Sequence, residues 1–200
     1  MQIEPKPHDD LKRVIFDSHP WPLAEGSTPY HEAGHLIAGL ALGMPCHNAR
    51  ISPDGTAGRA GVLNPVGENS ITTPPPSPDE VAGIYLQCAC VIWPGLPAAE
   101  AALNYAVMLV AGRQAELINA GIRLGGELHC HDPDHQQSRA ILAATGQRLA
   151  MTWAQRNARH ILTAKWPEVV AIAAELRETG TWTNTVAWVR QSRIPATTGY

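Results

Sequence analysis

The chain has 200 residues, of which 44% are hydrophobic and 16% charged, with a net charge of −3. That length suits one domain with at most a small extension, and the apolar content excludes global disorder. The acidic balance and scattered arginines leave no electrostatic footprint for nucleic acid. Charge this thin, below the roughly 25% of an average soluble domain, points to large covered faces or to self-association.

Residues 1–22 carry Pro5, Pro7, Pro20 and Pro22 and read as an irregular leader without the apolar run of a signal peptide. The longest apolar stretch, residues 84–112, is interrupted by Pro94, Pro97, Glu100 and Asn104. It falls short of the about 20 uninterrupted apolar residues a membrane span needs. Cys46, Cys88, Cys90 and Cys130 form no CxxC pair and read as reduced thiols, so a cytoplasmic location is expected.

The first strong helix is expected from Pro29 to Leu42, with Thr28 as cap, proline at the first helical position and Gly43 as stop. Residues 49–63 read as two short strands joined by a turn at Pro53-Asp54-Gly55. Residues 64–78 contain three consecutive prolines and read as a stiff surface loop. Ser77-Pro78-Asp79-Glu80 then has the form of a capping box. It opens a helix to Ile92 with Val81, Ile84, Tyr85, Cys88 and Val91 or Ile92 on its buried face.

A second helix is expected from Pro97 to Ala120, with Gly112 permitting close packing and Gly121 ending it. A third starts at Pro133 under an Asp132 cap and carries Ile141, Leu142, Thr145, Leu149 and Trp153 at helical spacing. Pro167 opens a further helix ending at Gly180, and residues 184–191 a short last one. Trp153, Trp166, Trp182 and Trp188 read as core builders. The expected fold class is α+β, predominantly helical, with a small sheet and a C-terminal helical bundle, and residues 23–200 form a single domain.

The stretch that carries chemistry is His31-Glu32-Ala33-Gly34-His35. Residues four apart stack on one helical face, so both imidazoles can reach one metal ion. The glutamate after the first histidine lies beside the open coordination position, where it can take a proton from a water. A catalytic zinc keeps three protein ligands, so a third must come from elsewhere. A metzincin would need glycine and histidine where Ala38 and Ala41 stand. A thermolysin-like site needs a later glutamate, for which Glu100 and Glu116 are nominal. The densest group of ligand-capable side chains is His129-Cys130-His131-Asp132-Pro133-Asp134-His135. Within it Asp132, preceding a proline, suits the cap, which leaves Asp134 in the first turn free to point elsewhere. His131 is the alternative, and His129, Cys130 and His135 read as supporting or surface groups.

The segment HEAGHLIAGLALG resembles the zinc-binding helix of the FtsH-type, ATP-dependent zinc metallopeptidases. AVMLVAGRQAELINAG, DPDHQQSRAIL and AQRNARHILTAKWPEVVAIAAELRETGTW are similar to three later segments of that family, in the same order, so that the resemblance touches most of residues 28–182. It implies a zinc peptidase domain with Zn2+ held by His31, His35 and Asp134 and with Glu32 as general base. The ATPase module and membrane anchor of the family have no counterpart here, and residues 61–106 are longer than the family segment.

The expectation is therefore a zinc-dependent endopeptidase acting on peptide or unfolded protein substrates. Its expected partners are those substrates, further copies of itself in a ring and a separately encoded ATPase, with neither nucleic acid nor membrane. The alternatives are a catalytically silent adaptor on the same scaffold and a structural zinc site closed by a fourth ligand such as His131. An edge strand near Ile51 or Arg59 would let substrate backbone extend the sheet.

Overall fold

The computed structural model describes residues 26–62, 78–122 and 132–184, which form six helices and one three-stranded antiparallel sheet. In chain order these are α1 (Thr28–Ala41), β1 (Cys46–Ile51), β2 (Gly58–Val62), α2 (Pro78–Ile92), α3 (Ala98–Asn119), α4 (Pro133–Ala144), α5 (Met151–Ala164), α6 (Trp166–Thr179) and β3 (Thr181–Thr183). For these residues the class is α+β with helix predominating. The leader, nearly all of the Pro-rich loop, residues 129–131 and all but the first residue of the expected last helix lie outside the described residues.

Every residue of α3 from Tyr105 to Leu117 is buried. A helix without a solvent face belongs at the centre of a fold, and α3 packs on α1, α2, α4 and α5. Small residues let α1 come close to it. A Cβ on Gly34 would lie 2.6 Å from the Ala111 carbonyl oxygen and 2.7 Å from the Ala115 Cβ. Around this contact the core is filled by Leu36, Leu117, Ile141, Leu142, Leu162 and Leu176. Each such side chain contributes roughly 1.5–3 kcal/mol by leaving water.

The helix ends follow the chemistry of their terminal residues. Gly43 takes φ +78°, and the Met44 N–H returns to the Gly39 carbonyl at 2.8 Å. Gly121 (φ +70°) and Gly180 (φ +74°) end α3 and α6 in the same left-handed conformation, which costs glycine nothing. At the start of α1 the cap position falls on Ser27 rather than Thr28, and no side chain caps it. The Ser27 hydroxyl instead donates to Glu116, on α3.

Two expectations are corrected. The periodicity that runs from Ile141 to Trp153 is divided between two helices. Gly146 adopts φ +74°, the Gln147 N–H closes onto Leu142 O at 2.7 Å, and the chain restarts at Met151. Leu149 in the connection is 98% exposed and Trp153 46%, so neither is core. On α2 the described buried residues are Ala82, Cys88 and Ala89, with Tyr85 and Ile92 packed against the core, whereas Ile84 and Val91 are exposed and the Val81 side chain lies outside what is described. The alanines allow α2 to sit close to its neighbours, and Ile84 and Val91 turn outward.

The sheet has the order β2-β1-β3, and the two expected strands form its antiparallel hairpin. Ala49 pairs with Ala60 and Trp182 on the face toward the helices, and Arg50 pairs with Arg59 and Thr181 on the outer face. β3 was not expected, because three residues between a helix and a loop carry no periodic signal. Its attachment extends past the strand, where the Asn184 N–H donates to His47 O at 2.8 Å.

Gly34→Ala would gain about 1 kcal/mol of helix propensity. It would also force a methyl against a backbone oxygen and a Cβ, neither of which can swing away. Overpacking of that kind costs about 1–3 kcal/mol, so the variant is expected to unfold at lower urea concentration than the wild type. An unchanged or higher midpoint would show that the α1–α3 contact is not tight.

Candidate metal centre

Proline in the first turn and a buried inner face hold α1 with His31, Glu32 and His35 at 6%, 4% and 7% exposure. The two imidazoles stand one turn apart with ring centroids 4.5 Å from each other and their planes at 79°. The His35 Nδ1–H donates to the Met108 carbonyl on α3 at 2.9 Å. A carbonyl can only accept, so the proton sits on Nδ1 and the Nε2 lone pair is directed inward.

Opposite this pair stands the first turn of α4. Asp132 caps it, accepting the His135 N–H at 2.9 Å, while its second oxygen pairs with His135 Nδ1 at 2.5 Å. With Asp132 engaged in this way, Asp134 faces α1. Its Oδ2 lies 3.2 Å from His31 Nε2 and 3.2 Å from His35 Nε2, and the two Nε2 atoms are 2.9 Å apart. Three donor atoms thus form a nearly equilateral triangle. A tetrahedral metal centre with bonds of about 2.1 Å spaces its ligand atoms about 3.4 Å apart, so the triangle fits one. Among the described residues, this is the group of His, Cys, Asp and Glu side chains that could hold a metal ion.

The charges favour a cation at this point. Burial by itself disfavours an imidazolium at His31, but Asp134, Glu116 and Glu32 outweigh it and lift the pKa to about 10. At His35 burial acts in the same sense and is again overcome, mainly by the Asp134 carboxylate, so its pKa is raised. Burial opposes the charge of Asp134, yet His35 and His31 hold its carboxyl well below the usual range. Burial pushes Glu32 upward, with the pull of His35 and His31 acting against it. A site that stabilises positive charge between two imidazoles and a carboxylate has the electrostatics of a metal centre.

Glu116 extends the site behind His31. Its Oε1 faces His31 Nδ1 at 3.6 Å and accepts from the Ser27 hydroxyl at 3.1 Å, while Oε2 pairs with the Arg113 guanidinium at 3.2 Å. A carboxylate behind a ligating imidazole orients the ring and raises its basicity. Glu116 is therefore no metal donor here, and Glu100 is exposed in the first turn of α3, away from the triangle. His135 is fully buried with Asp132 rather than at the surface. His129, Cys130 and His131 lie outside the described residues.

Two glycines open the site. A Cβ on Gly112 would meet His35 Nε2 at 2.5 Å and His31 Cε1 at 2.6 Å. The close packing expected of Gly112 is thus against the His31 and His35 rings themselves. A Cβ on Gly58, at the start of β2, would meet Glu32 Oε1 at 2.5 Å. Nothing in the local sequence of β2 signals that role. The triangle opens on a cavity of about 290 Å³ that is also lined by Tyr85, Cys88, Tyr105, Met108 and Leu109 and by Gly58, Arg59 and Ala60 of β2.

Comparison with known proteins returned no matching family model and no matching curated protein. No helix among the described residues is long and apolar enough to cross a membrane.

The purified protein is expected to carry about one metal ion per chain, and Asp134→Ala to lose most of it. Gly112→Ala keeps every ligand but displaces the rings, and should weaken metal binding at least about tenfold. Elemental analysis of the three proteins after dialysis measures both effects. Full metal content in Asp134→Ala would remove that residue from the site.

Proposed function

We propose that this chain is a zinc-dependent endopeptidase of the FtsH type, cleaving extended segments of unfolded or flexible proteins. The observation that carries the reading is the position of Glu32. Its carboxylate lies beside the His31–His35–Asp134 triangle, at a cavity bordered by β2. Two imidazoles and one carboxylate, with a further carboxylate behind one ring, make the donor set of a catalytic zinc with one exchangeable position. Among the described residues no fourth donor joins the triangle, and a cavity lies beside it.

A zinc ion held by these three residues would polarise the scissile carbonyl and bring the pKa of a water to about 7. The rest belongs to the chain. Burial raises the affinity of Glu32 for a proton, against the pull of His35 and His31. Glu32 accepts the proton of the attacking water and delivers it to the leaving amine nitrogen. Gly58 leaves the Glu32 carboxylate room beside the strand.

β2 pairs only with β1 among the described residues. Its other edge offers backbone groups to an extended peptide running past Glu32, as in strand addition to an open sheet. Main-chain bonding of this kind requires an unfolded segment and tolerates many side chains, in keeping with the proposed substrate class.

Casein should be degraded by the zinc-loaded protein and spared after chelation. Glu32→Gln keeps the shape but removes the base, and is expected to lower turnover by about 10²–10⁴ with metal content unchanged. Full activity in this variant would overturn the mechanism. A zinc-loaded wild type that leaves casein intact would favour a binding module instead.

A further inference from the structure

The outer face of the sheet is charged in a way that the cleavage chemistry does not use. Arg50 and Arg59 are directly opposed in the β1–β2 ladder, and both are exposed. Like charges facing each other across a strand pair are destabilising. Neither guanidinium has an acidic partner among the described residues. Their neighbours on that face, Asn48, Thr181 and Thr183, are uncharged. On a chain of net charge −3, two arginines are thus held side by side on the sheet, and Arg59 also lines the cavity.

We infer that Arg59, with Arg50 beside it, selects an acidic side chain of the peptide substrate next to a large apolar residue that enters the cavity. The inference rests on the peptidase reading and adds a substrate preference to it. Its geometry comes from the strand. A peptide lying along the free edge of β2 continues the alternation of the sheet. The side chain opposite Arg59 points to the outer face, and its neighbours, opposite Gly58 and Ala60, point inward. Cross-strand Cβ atoms lie about 4.5–5.5 Å apart, within reach of a bidentate contact between guanidinium and carboxylate. The inward neighbour meets Tyr85, Tyr105, Met108 and Leu109. The pattern read is therefore an acidic residue adjacent to an aromatic or long aliphatic one. A polyanion such as single-stranded nucleic acid is the rival ligand, but binding it would need a basic track interleaved with aromatic platforms on the same face. The outer sheet face carries no aromatic residue among the described positions.

The test uses the zinc-loaded full chain and two internally quenched peptides that differ only in Glu or Gln beside a Phe. At low salt the Glu peptide is expected to be cleaved with about tenfold higher kcat/KM, an advantage that shrinks as salt is raised to about 0.5 M. In Arg59→Gln the ratio of the two rates should fall to about one, and in Arg50→Gln to an intermediate value. Equal rates for the two peptides on the wild type overturn the inference and leave the peptidase reading intact. Cleavage of neither peptide counts against the peptidase reading. Fluorescence anisotropy with the labelled peptides then decides the present inference, and equal Kd values overturn it. Displacement of the Glu peptide by a short oligonucleotide at lower concentration than by unlabelled Glu peptide would also overturn it, in favour of a nucleic-acid surface.

Discussion

Across the contact between α1 and α3, backbone meets backbone, and that closeness is what the site is built on. Gly34 removes the side chain that would hold α1 away from Ala111 and Ala115, and Gly112 removes the one that would fill the space of the His31 and His35 rings. Interiors are packed to crystal-like density, so neither space can be recovered by local adjustment. The Met108 carbonyl that fixes the His35 tautomer and the Glu116 carboxylate behind His31 both come from α3. The central helix is therefore at once the core of the fold and the back wall of the metal group.

The surroundings of the site bury several ionisable groups close together. Glu32, Arg113, Glu116, Asp132 and His135 are all nearly inaccessible, and each removal from water opposes folding. Partners offset part of that cost. Arg113 faces Glu116, Asp132 faces His135, and the His31 imidazole stands between Asp134 and Glu116. Apolar residues at these positions would give a simpler core. The concentration of ionisable groups around His31 and Asp134 sets this part of the core apart from its leucine-filled remainder.

Features written in local chemistry were readable in the sequence. The i, i+4 histidines, the Asp132 cap before Pro133 and the glycines after α1, α3 and α6 act within a few residues, and the structure has them as expected. The place of Asp134 in the possible metal-binding group was legible for the same reason, since a cap at Asp132 turns Asp134 away from the helix end. Features that depend on distant partners were not legible. The break at Gly146 lies inside an unbroken apolar period, because helical spacing does not record which face a neighbouring element covers. The buried face of α2 is set by where α3 and α4 lie, and β3 exists only because β1 has a free edge. Glu116 and Gly58 act on residues 85 and 26 positions away, a relation no spacing rule contains.

The triangle of donors also joins parts of the molecule that otherwise meet little. α1 packs mainly on α3 and α6, and α4 mainly on α2 and α3. His31 and Asp134, 103 positions apart in sequence, are brought together at the site itself. Coordination there would tie these distant parts together in the folded chain only, since the three donors do not meet in the unfolded one. Because ligand binding to the folded form alone adds stability in proportion to the logarithm of free ligand, the resistance of the domain to heat would track the metal supply of its surroundings. The chemistry of cleavage and the lifetime of the fold would then answer to the same ion.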